Sequence, residues 1–207
     1  MINPLNILRR LFILQRIKAY KMIEGWLTEY EAQSLYQMAR RLRKQDSTVV
    51  EIGSWKGKST YCLAKGLRNG TVYAIDPFDG SGEPGSFELY QQSKGLTPLM
   101  DQFTRTMTDL GVIGKIRTLV GPSERFAGQI SSIDLLFIDG DHSMEACERD
   151  FENYTPYLIP GGYLLFHDFD PQRPQLGPTW VIQNKVLPSA RYEFIGLFDS
   201  LWVCRKK

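Results

Sequence analysis

The sequence predicts a doubly wound α/β fold whose mostly parallel seven-stranded sheet ends in a C-terminal antiparallel hairpin. Short β-rich runs alternate with helical segments through the middle of the chain, which is typical of βαβ units. The runs Val49-Val50 and Leu135–Ile138 are almost wholly apolar, as expected for strands covered on both faces. Two last β-rich runs are separated only by the turn 198–200, so they are expected to pair antiparallel.

Each element is assigned from its local pattern. The predicted strands are, in chain order, Thr48–Ile52, Thr71–Ile75, Lys115–Val120, Ile133–Ile138, Gly162–His167, Arg191–Leu197 and Leu201–Arg205. The helical or mixed segments are 29–44, Lys58–Leu67, Ser86–Leu110, Glu124–Gln129, Met144–Tyr154 and Trp180–Val186. The first helix is the most strongly indicated, because Thr28 and Glu31 form the T-x-x-E capping box with which helices begin.

The composition is that of one ordinary globular domain. The chain has 207 residues, of which 43% are hydrophobic, and a net charge of +2. Broad nucleic-acid binding requires a basic face, so no nucleic-acid partner is expected. The three cysteines show no Cys-x-x-Cys spacing, which fits a reducing compartment and predicts a cytoplasmic protein.

Residues 1–22 are predicted to form a basic amphipathic helix, with the domain itself spanning 23–207. The first 21 residues contain five bases and no acid, and leucines interleave with the bases at helical spacing. A signal peptide and a membrane span are both disfavoured, because bases interrupt the apolar run. The helix could lie weakly on an anionic membrane surface, or pack on the domain or on a second copy in a homo-oligomer; packing is favoured.

The loop after the first strand contains Glu51, Gly53 and Gly57. A phosphate-binding P-loop needs four residues between its glycines, and this loop has three. A dinucleotide fingerprint needs glycine where Trp55 stands. The remaining pattern, E-x-G-x-x-x-G, places a carboxylate that would repel phosphate but suits a cationic amine. A tight turn without a ligand stays open as the alternative.

The second and third loops also offer polar groups at the expected ligand edge. Asp76 ends the second strand, 25 residues after Glu51, where a carboxylate can accept both ribose hydroxyls of a nucleoside. It could instead be a turn residue before Pro77. Ser123 offers a hydroxyl and an amide after the third strand, and it could equally cap a helix.

The fourth and fifth strands end in acids and both histidines of the chain. Asp139, Asp141 and His142 follow one strand, and His167 and Asp168 follow the other. Carboxylates with imidazole favour a divalent metal, Mg²⁺ or Mn²⁺. The same groups could move protons without a metal, or they could be solvated loop and capping residues.

These motifs resemble those of class I S-adenosylmethionine-dependent methyltransferases. The strings I-D-G-D-H-S and Y-L-I-P-G-G-Y-L-L-F-H-D are most similar to the small catechol O-methyltransferase-like enzymes, in the branch found in sugar and antibiotic biosynthesis. The similarity runs from Ile23 to the C-terminus. It implies a Rossmann-like fold, S-adenosyl-L-methionine as cofactor, and methyl transfer to a hydroxyl of a small molecule or sugar, with the acceptor itself unspecified.

The resemblance also implies residue roles. Cofactor contacts would come from Glu51, Gly53, Ser54, Gly57, Ser59, Thr60, Asp76, Pro77, Ser123 and Asp139. Asp139, His167 and Asp168 would hold the metal, although His167 departs from the acid pair of the metal-dependent relatives. Asp141 is the general-base candidate, with His142 beside it.

Two other functions remain possible on the sequence alone. One is a non-catalytic nucleotide-binding partner protein, and the other is an NAD-dependent oxidoreductase, which the absent G-x-G-x-x-G disfavours. The glycine-rich segment Asp79–Gly85 is predicted to be a lid over the ligand or a plain surface loop.

Overall fold

The structure, a computed structural model, describes residues 4–82 and 86–207. Its sheet has seven strands in the order β3-β2-β1-β4-β5-β7-β6. The strands are β1 Ser47–Ile52, β2 Gly70–Asp76, β3 Ile116–Val120, β4 Ile133–Ile138, β5 Leu158–Phe166, β6 Tyr192–Phe198 and β7 Leu201–Lys206. Within the described chain β7 runs antiparallel to both its neighbours, and the other pairs are parallel. The predicted fold class is therefore confirmed.

Helices cover both faces of this sheet. They are α1 Pro4–Ile17, α2 Glu29–Arg41, α3 Lys58–Gly66, α4 Phe87–Lys94, α5 Leu99–Asp109, α6 Met144–Tyr154 and α7 Gly177–Val181, the last of which continues as a π-helical turn over Ile182–Val186. The predicted mixed segment 86–110 divides into α4 and α5, because Gly95 adopts a φ of +74° and Pro98 follows. The predicted helix Glu124–Gln129 is instead one 3₁₀ turn, Ser123–Phe126, since Gly128 with a φ of +79° turns the chain away.

The core consists of two apolar layers separated by the sheet. Val49 and Leu135 point into the layer beneath α1, α2, α3 and α5, while Val50 and Leu136 point into the layer beneath α6 and α7. All four side chains are fully buried. Their near-continuous apolar strands are thus covered on both faces, as their sequence predicts.

Helix α1 packs on the domain along one of its faces. Ile13 and Ile17 are buried in the same layer as α2 and α3, whereas Leu8, Leu11 and Phe12 are 57–64% exposed. The side chain of Leu5 and residues 1–3 lie outside the described residues. No helix of the described chain is long and apolar enough to cross a bilayer. The domain boundary at residue 22, and contact of α1 with lipid or a second copy, stay predictions.

The chain changes direction across the sheet between β1 and β4. Strand β1 has β2 on one side and β4 on the other, so the loops that follow these strands open in opposite directions. In doubly wound folds ligands bind in the crevice outside the carboxyl ends of the strands at this switch point.

Candidate active site

A cavity of about 560 Å³ lies at the carboxyl ends of the strands. Its walls come from the loops after β1 to β5 and from the segment before α2. It brings together most of the predicted site residues: Gly53, Ser54, Ser59, Asp76, Pro77, Ser123, Asp139, Asp141, His142, His167 and Asp168. The predicted residues Glu51, Gly57 and Thr60 lie behind this wall. The lid prediction falls partly on residues 83–85, outside the described residues, while Gly80, Ser81 and Gly82 line the cavity.

The two glycines of the first loop are required by the chain's own packing. Gly53 has a φ of +88°, and a Cβ there would lie 1.9 Å from the main-chain oxygen of Asp139. Gly57 has a φ of +91°, and a Cβ there would lie 2.7 Å from the Met107 side chain and 3.0 Å from that of Phe103. Gly53 therefore lets the first and fourth loops touch beside the cavity, and Gly57 faces α5.

Glu51 organises the first loop from beneath. Its fully buried carboxylate accepts hydrogen bonds from the hydroxyls of Ser54, at 2.9 Å, and Thr60. Burial raises the pKa of Glu51 to about 7. Its Oε1 has no hydrogen-bond partner among the described residues.

Asp76 ties the first and second loops together. One carboxylate oxygen accepts from the Trp55 amide at 2.8 Å, and the other accepts from the Phe78 amide at 2.6 Å. Burial raises the pKa of Asp76. Trp55 and Phe78 have φ values of +48° and +54°, a strained conformation for non-glycine residues that is common at functional sites. Asp76 thus fixes two strained loops while lining the cavity.

Ser123 is held by helix α6 and does not cap a helix. Pro122 occupies the cap position of the 3₁₀ turn. The Ser123 hydroxyl donates to Asp150, and its carbonyl accepts from the Tyr154 hydroxyl at 2.7 Å. Burial raises the pKa of Asp150 to about 6.

The loops after β4 and β5 bring acids and imidazoles into direct contact. Asp139, His142 and Asp168 each offer a ligand atom, and these atoms lie within 4.8 Å of one another. His142 Nε2 is 3.0 Å from Asp168 Oδ2. His167 Nδ1 lies between the two carboxylates, 3.2 Å from Asp139 Oδ1 and 3.0 Å from Asp168 Oδ2. The three predicted metal ligands, Asp139, His167 and Asp168, do lie together. The group whose ligand atoms could share one ion, however, consists of the two acids and His142, and His167 lies behind it.

The charges of this cluster stabilise one another. Burial lowers the pKa of His167, but the neighbouring carboxylates outweigh this and raise it well above its usual value. Burial raises the pKa of Asp168, but both histidines outweigh this and hold it well below its usual range. The cluster is therefore a network of neighbouring acids and imidazoles in which the carboxylates favour the charged form of His167.

Asp141, the general-base candidate, lies beside the cluster and helps to start α6. Its Oδ1 accepts from the Ser143 amide at 2.7 Å, and the Ser143 hydroxyl accepts from the Ala146 amide. Asp141 still lines the cavity. Its main contact is thus the loop and capping interaction that the sequence left open as an alternative.

Two features of the site were not predicted. Glu31 of α2 is 2% exposed, and its Oε2 lies 3.3 Å from His167 Nε2. Trp26, Trp55 and Tyr90 form a cluster of rings along the cavity wall, with centroids 5.4–5.9 Å apart. The capping box indicates where Glu31 begins a helix, but no local pattern indicates its contact with His167.

A comparison with protein families shows which family the chain belongs to. A family model described as a methyltransferase domain matches residues 50–169, more than half of the chain. The chain belongs to the methyltransferase domain family. The predicted resemblance to class I S-adenosylmethionine-dependent methyltransferases is thereby confirmed, and it is favoured over the oxidoreductase and the non-catalytic binding protein.

Individual relatives of this methyltransferase are distant. It is 28% identical over 177 residues to the uncharacterized protein R132 of Acanthamoeba polyphaga mimivirus, covering 80% of this chain and 74% of that protein. The O-methyltransferase NovP has a similar structure, with a TM-score of 0.66, 18% identity and coverage of 88% and 83% of the two chains. The O-methyltransferase TomG from Streptomyces achromogenes, solved in complex with S-adenosylmethionine, is also similar. Its TM-score is 0.66 at 14% identity, and the match covers 96% of this chain and 89% of TomG. At these identities the structures show a shared fold.

Proposed function

We propose that this methyltransferase transfers the methyl group of S-adenosylmethionine to a hydroxyl of a small molecule, sugars included. The observation that carries the proposal is that one cavity is lined both by Asp76 and by the cluster of Asp139, His142 and Asp168. Asp76 ends β2 and the cluster follows β4 and β5, so the proposed ribose-binding acid and the proposed proton acceptor lie on opposite sides of β1. NovP and TomG, the similar structures, are described as O-methyltransferases.

The charge of the cavity fits this cofactor better than a phosphate-bearing one. Among the described lining residues six are acidic and five are basic, the two histidines included. The acids are Asp76, Glu124, Asp139, Asp141, Asp150 and Asp168, and the bases are Lys58, His142, Arg149, His167 and Arg173. When bound, S-adenosylmethionine supplies a cationic sulfonium that carries an electrophilic methyl group. An acidic cavity favours such a cation and disfavours a dinucleotide.

The donor set also fits a divalent ion. Asp139, His142 and Asp168 would hold it, and a set that includes an imidazole suits Mn²⁺ better than Mg²⁺. A bound ion would lower the pKa of the acceptor hydroxyl. Metal assistance is part of the proposal.

The chain's own residues would receive the acceptor proton. His142 can take it at Nδ1, because Nε2 lies 3.0 Å from Asp168, and an Nε2–H directed at that carboxylate stabilises the resulting imidazolium. Where an ion occupies His142, Asp141 is the base that remains in the cavity wall. The rings of Trp26, Trp55 and Tyr90 give the acceptor an apolar surface that excludes water. Productive transfer requires the acceptor oxygen about 3 Å from the methyl group.

The test combines binding with turnover. Calorimetry with S-adenosylhomocysteine should show saturable binding to the full chain. Labelled methyl donor should then transfer label to at least one member of a panel of sugars, phenols and phosphorylated metabolites. Binding of NAD in place of S-adenosylhomocysteine would contradict the proposal, as would label transferred only to nitrogen acceptors.

A further inference from the structure

We propose that Glu31 is a positioning residue for this site: its buried carboxylate orients His167 directly and holds the backbone of Asp168 through Ser200. The inference rests on the proposed function for its meaning in turnover, but its structural part can be tested without an acceptor. It assigns a role in the site to a residue of α2, a helix that lies far from the site loops in the sequence.

Glu31 makes more contacts than a helix cap requires. Its Oε2 accepts from the Thr28 amide at 2.8 Å, which completes the capping box. The other oxygen, Oε1, accepts from both the amide and the hydroxyl of Ser200, at 3.0 and 2.7 Å. Oε2 also lies at ion-pair distance from His167, 3.3 Å from Nε2. Burial raises the pKa of Glu31, but these contacts outweigh it and lower the pKa to about 2.

Ser200 carries the effect of Glu31 to the backbone at Asp168. The Asp168 amide donates to the Ser200 hydroxyl at 3.3 Å, and the Phe169 amide donates to the Ser200 carbonyl at 3.0 Å. Asp168 has a φ of +57°, in the left-handed region that aspartate tolerates better than most non-glycine residues but that still calls for restraint from its surroundings. The turn between β6 and β7, anchored on Glu31, supplies that restraint.

His167 carries the effect to the carboxylates. Its ring is 6% exposed, with Nε2 toward Glu31 and Nδ1 between Asp139 and Asp168. A carboxylate 3.3 Å from one ring nitrogen attracts the N–H there, and so favours the ring orientation in which the other nitrogen faces the two acids. Without Glu31 the ring would be oriented only by the contacts of Nδ1 with the two acids and by the edge-on packing of Phe137, so its position between the acids would be less restrained.

The decisive variant is Glu31→Gln in the full chain. Glutamine keeps the size of the side chain and is accepted in capping boxes, but it removes the charge that faces His167. We expect kcat to fall about 10- to 100-fold, as for other groups that orient site residues. The KM for S-adenosylmethionine and the affinity for S-adenosylhomocysteine should change less than about twofold, since Glu31 does not line the cavity.

Two control variants separate positioning from general damage to the fold. Thr28→Ala removes the other half of the capping box and the hydrogen bond from Thr28 to Asp199, without touching His167. It should lower Tm at least as much as Glu31→Gln while leaving kcat within about twofold. Glu29→Gln removes an exposed acid of the same helical turn and should change neither quantity. Equal losses of kcat in Thr28→Ala and Glu31→Gln would overturn the proposal.

Nuclear magnetic resonance of the imidazole nitrogens gives a readout that needs no acceptor. The chain has two histidines, so His142→Gln assigns the remaining ring signals to His167. Glu31→Gln should shift the His167 signals strongly, and Ser200→Ala should shift them less and in the same direction. Unchanged His167 signals in Glu31→Gln would contradict the proposal. Altered signals in a protein that methylates no hydroxyl would support the positioning role and reject the proposed function.

Discussion

The two ends of the cavity hold their carboxylates in different ways. At the end formed by the loops after β1 and β2, Asp76 is held by two main-chain amides. Phe78 is two residues further along the same loop, and Trp55 lies in the neighbouring loop after β1. At the end formed by the loops after β4 and β5, Asp139 and Asp168 are held by the imidazole of His167. Main-chain amides restrain the first end, and charged side chains restrain the second.

This difference suits the two tasks in the proposed function. A binding site for an invariant cofactor benefits from amides, whose positions are fixed by the backbone and do not depend on protonation. A site that moves a proton needs groups whose charge responds to one another, and those groups depend on distant supports such as Glu31. Substitutions at the first end should therefore change affinity, and substitutions at the second end should change turnover.

The largest effect is expected from the acids of the second end. Asp139→Asn or Asp168→Asn should abolish measurable turnover, a loss of more than about 100-fold, because each removes a ligand and a charge partner of His167. Affinity for S-adenosylhomocysteine, measured by calorimetry, should stay within a few-fold of that of the parent.

A chelator should reproduce this loss in the parent protein if a divalent ion takes part. Turnover should return on addition of Mn²⁺, and less completely on addition of Mg²⁺, because His142 is one of the three donors. Undiminished turnover in excess chelator, by protein that contains no metal, would leave proton transfer to His142 as the mechanism. The rate should then fall as the pH is lowered, because a protonated imidazole cannot accept the proton of the acceptor hydroxyl.

A smaller effect is expected at the first end. Asp76→Ala should weaken S-adenosylhomocysteine binding by about 1–3 kcal/mol through the loss of charge-assisted hydrogen bonds to the ribose. Asp79→Ala is the matched control, since Asp79 is exposed, is not among the cavity-lining residues and bonds within its own turn. Unchanged calorimetric affinity in a folded Asp76→Ala variant would remove Asp76 from ribose binding and would leave it as a support for two loops.

The two ends also differ in how far the sequence predicts them. The strand-ending positions of Asp76, Asp139 and Asp168 follow from alternating strands and helices, because parallel strands bring their carboxyl ends to one edge. The support from Glu31 could not be predicted, since it depends on how α2 packs against the sheet and the final hairpin. The role of Gly57 was incompletely predicted for the same reason: its glycine requirement comes from Met107 of α5.

Glu51 could either contact the cofactor or only support the first loop, and its raised pKa allows the two roles to be tested. Its folded-state pKa of about 7 lies above the ordinary unfolded value of about 4.3, so the folded protein binds this proton more tightly. The free energy of unfolding should therefore fall as the pH rises from about 4.5 to 7, by up to about 3 kcal/mol. In Glu51→Gln the fall, measured by urea unfolding across that pH range, should be smaller by this amount, while Asp150, whose pKa is also raised by burial, keeps its own contribution.

The same variant separates two roles of Glu51. Because Glu51 lies behind the cavity wall, Glu51→Gln should change S-adenosylhomocysteine affinity less than Asp76→Ala does. A larger loss than in Asp76→Ala would mean that the carboxylate meets the cationic amine of the cofactor directly, as the resemblance implies. Loss of affinity with an unchanged pH profile of unfolding would contradict the raised pKa of Glu51.

Substitutions on the outer face of α1 are expected to have the smallest effect on either end of the cavity. Leu11 and Phe12 are exposed, and the Arg16 guanidinium lies 4.7 Å from the centre of the Phe12 ring. The opposite face is buried in the core through Ile13 and Ile17, so removal of the whole helix would damage the fold. Substitution of the exposed side chains isolates the outer face.

The double variant Leu11→Gln, Phe12→Gln should leave both kcat and S-adenosylhomocysteine affinity unchanged, because no described residue of α1 lines the cavity. If this basic, apolar face lies on anionic lipid, the parent protein should pellet with phosphatidylserine-containing vesicles at low salt and be released at high salt. The double variant should not pellet.

The alternative occupant of this face is a second copy of the chain. A parent protein that does not bind vesicles but sediments as a dimer, with the double variant monomeric, would assign the face to that second copy. A change in kcat in the double variant would show that α1 is coupled to the His167 end of the cavity through α2. The prediction that the outer face of α1 acts independently of the cavity would then be wrong.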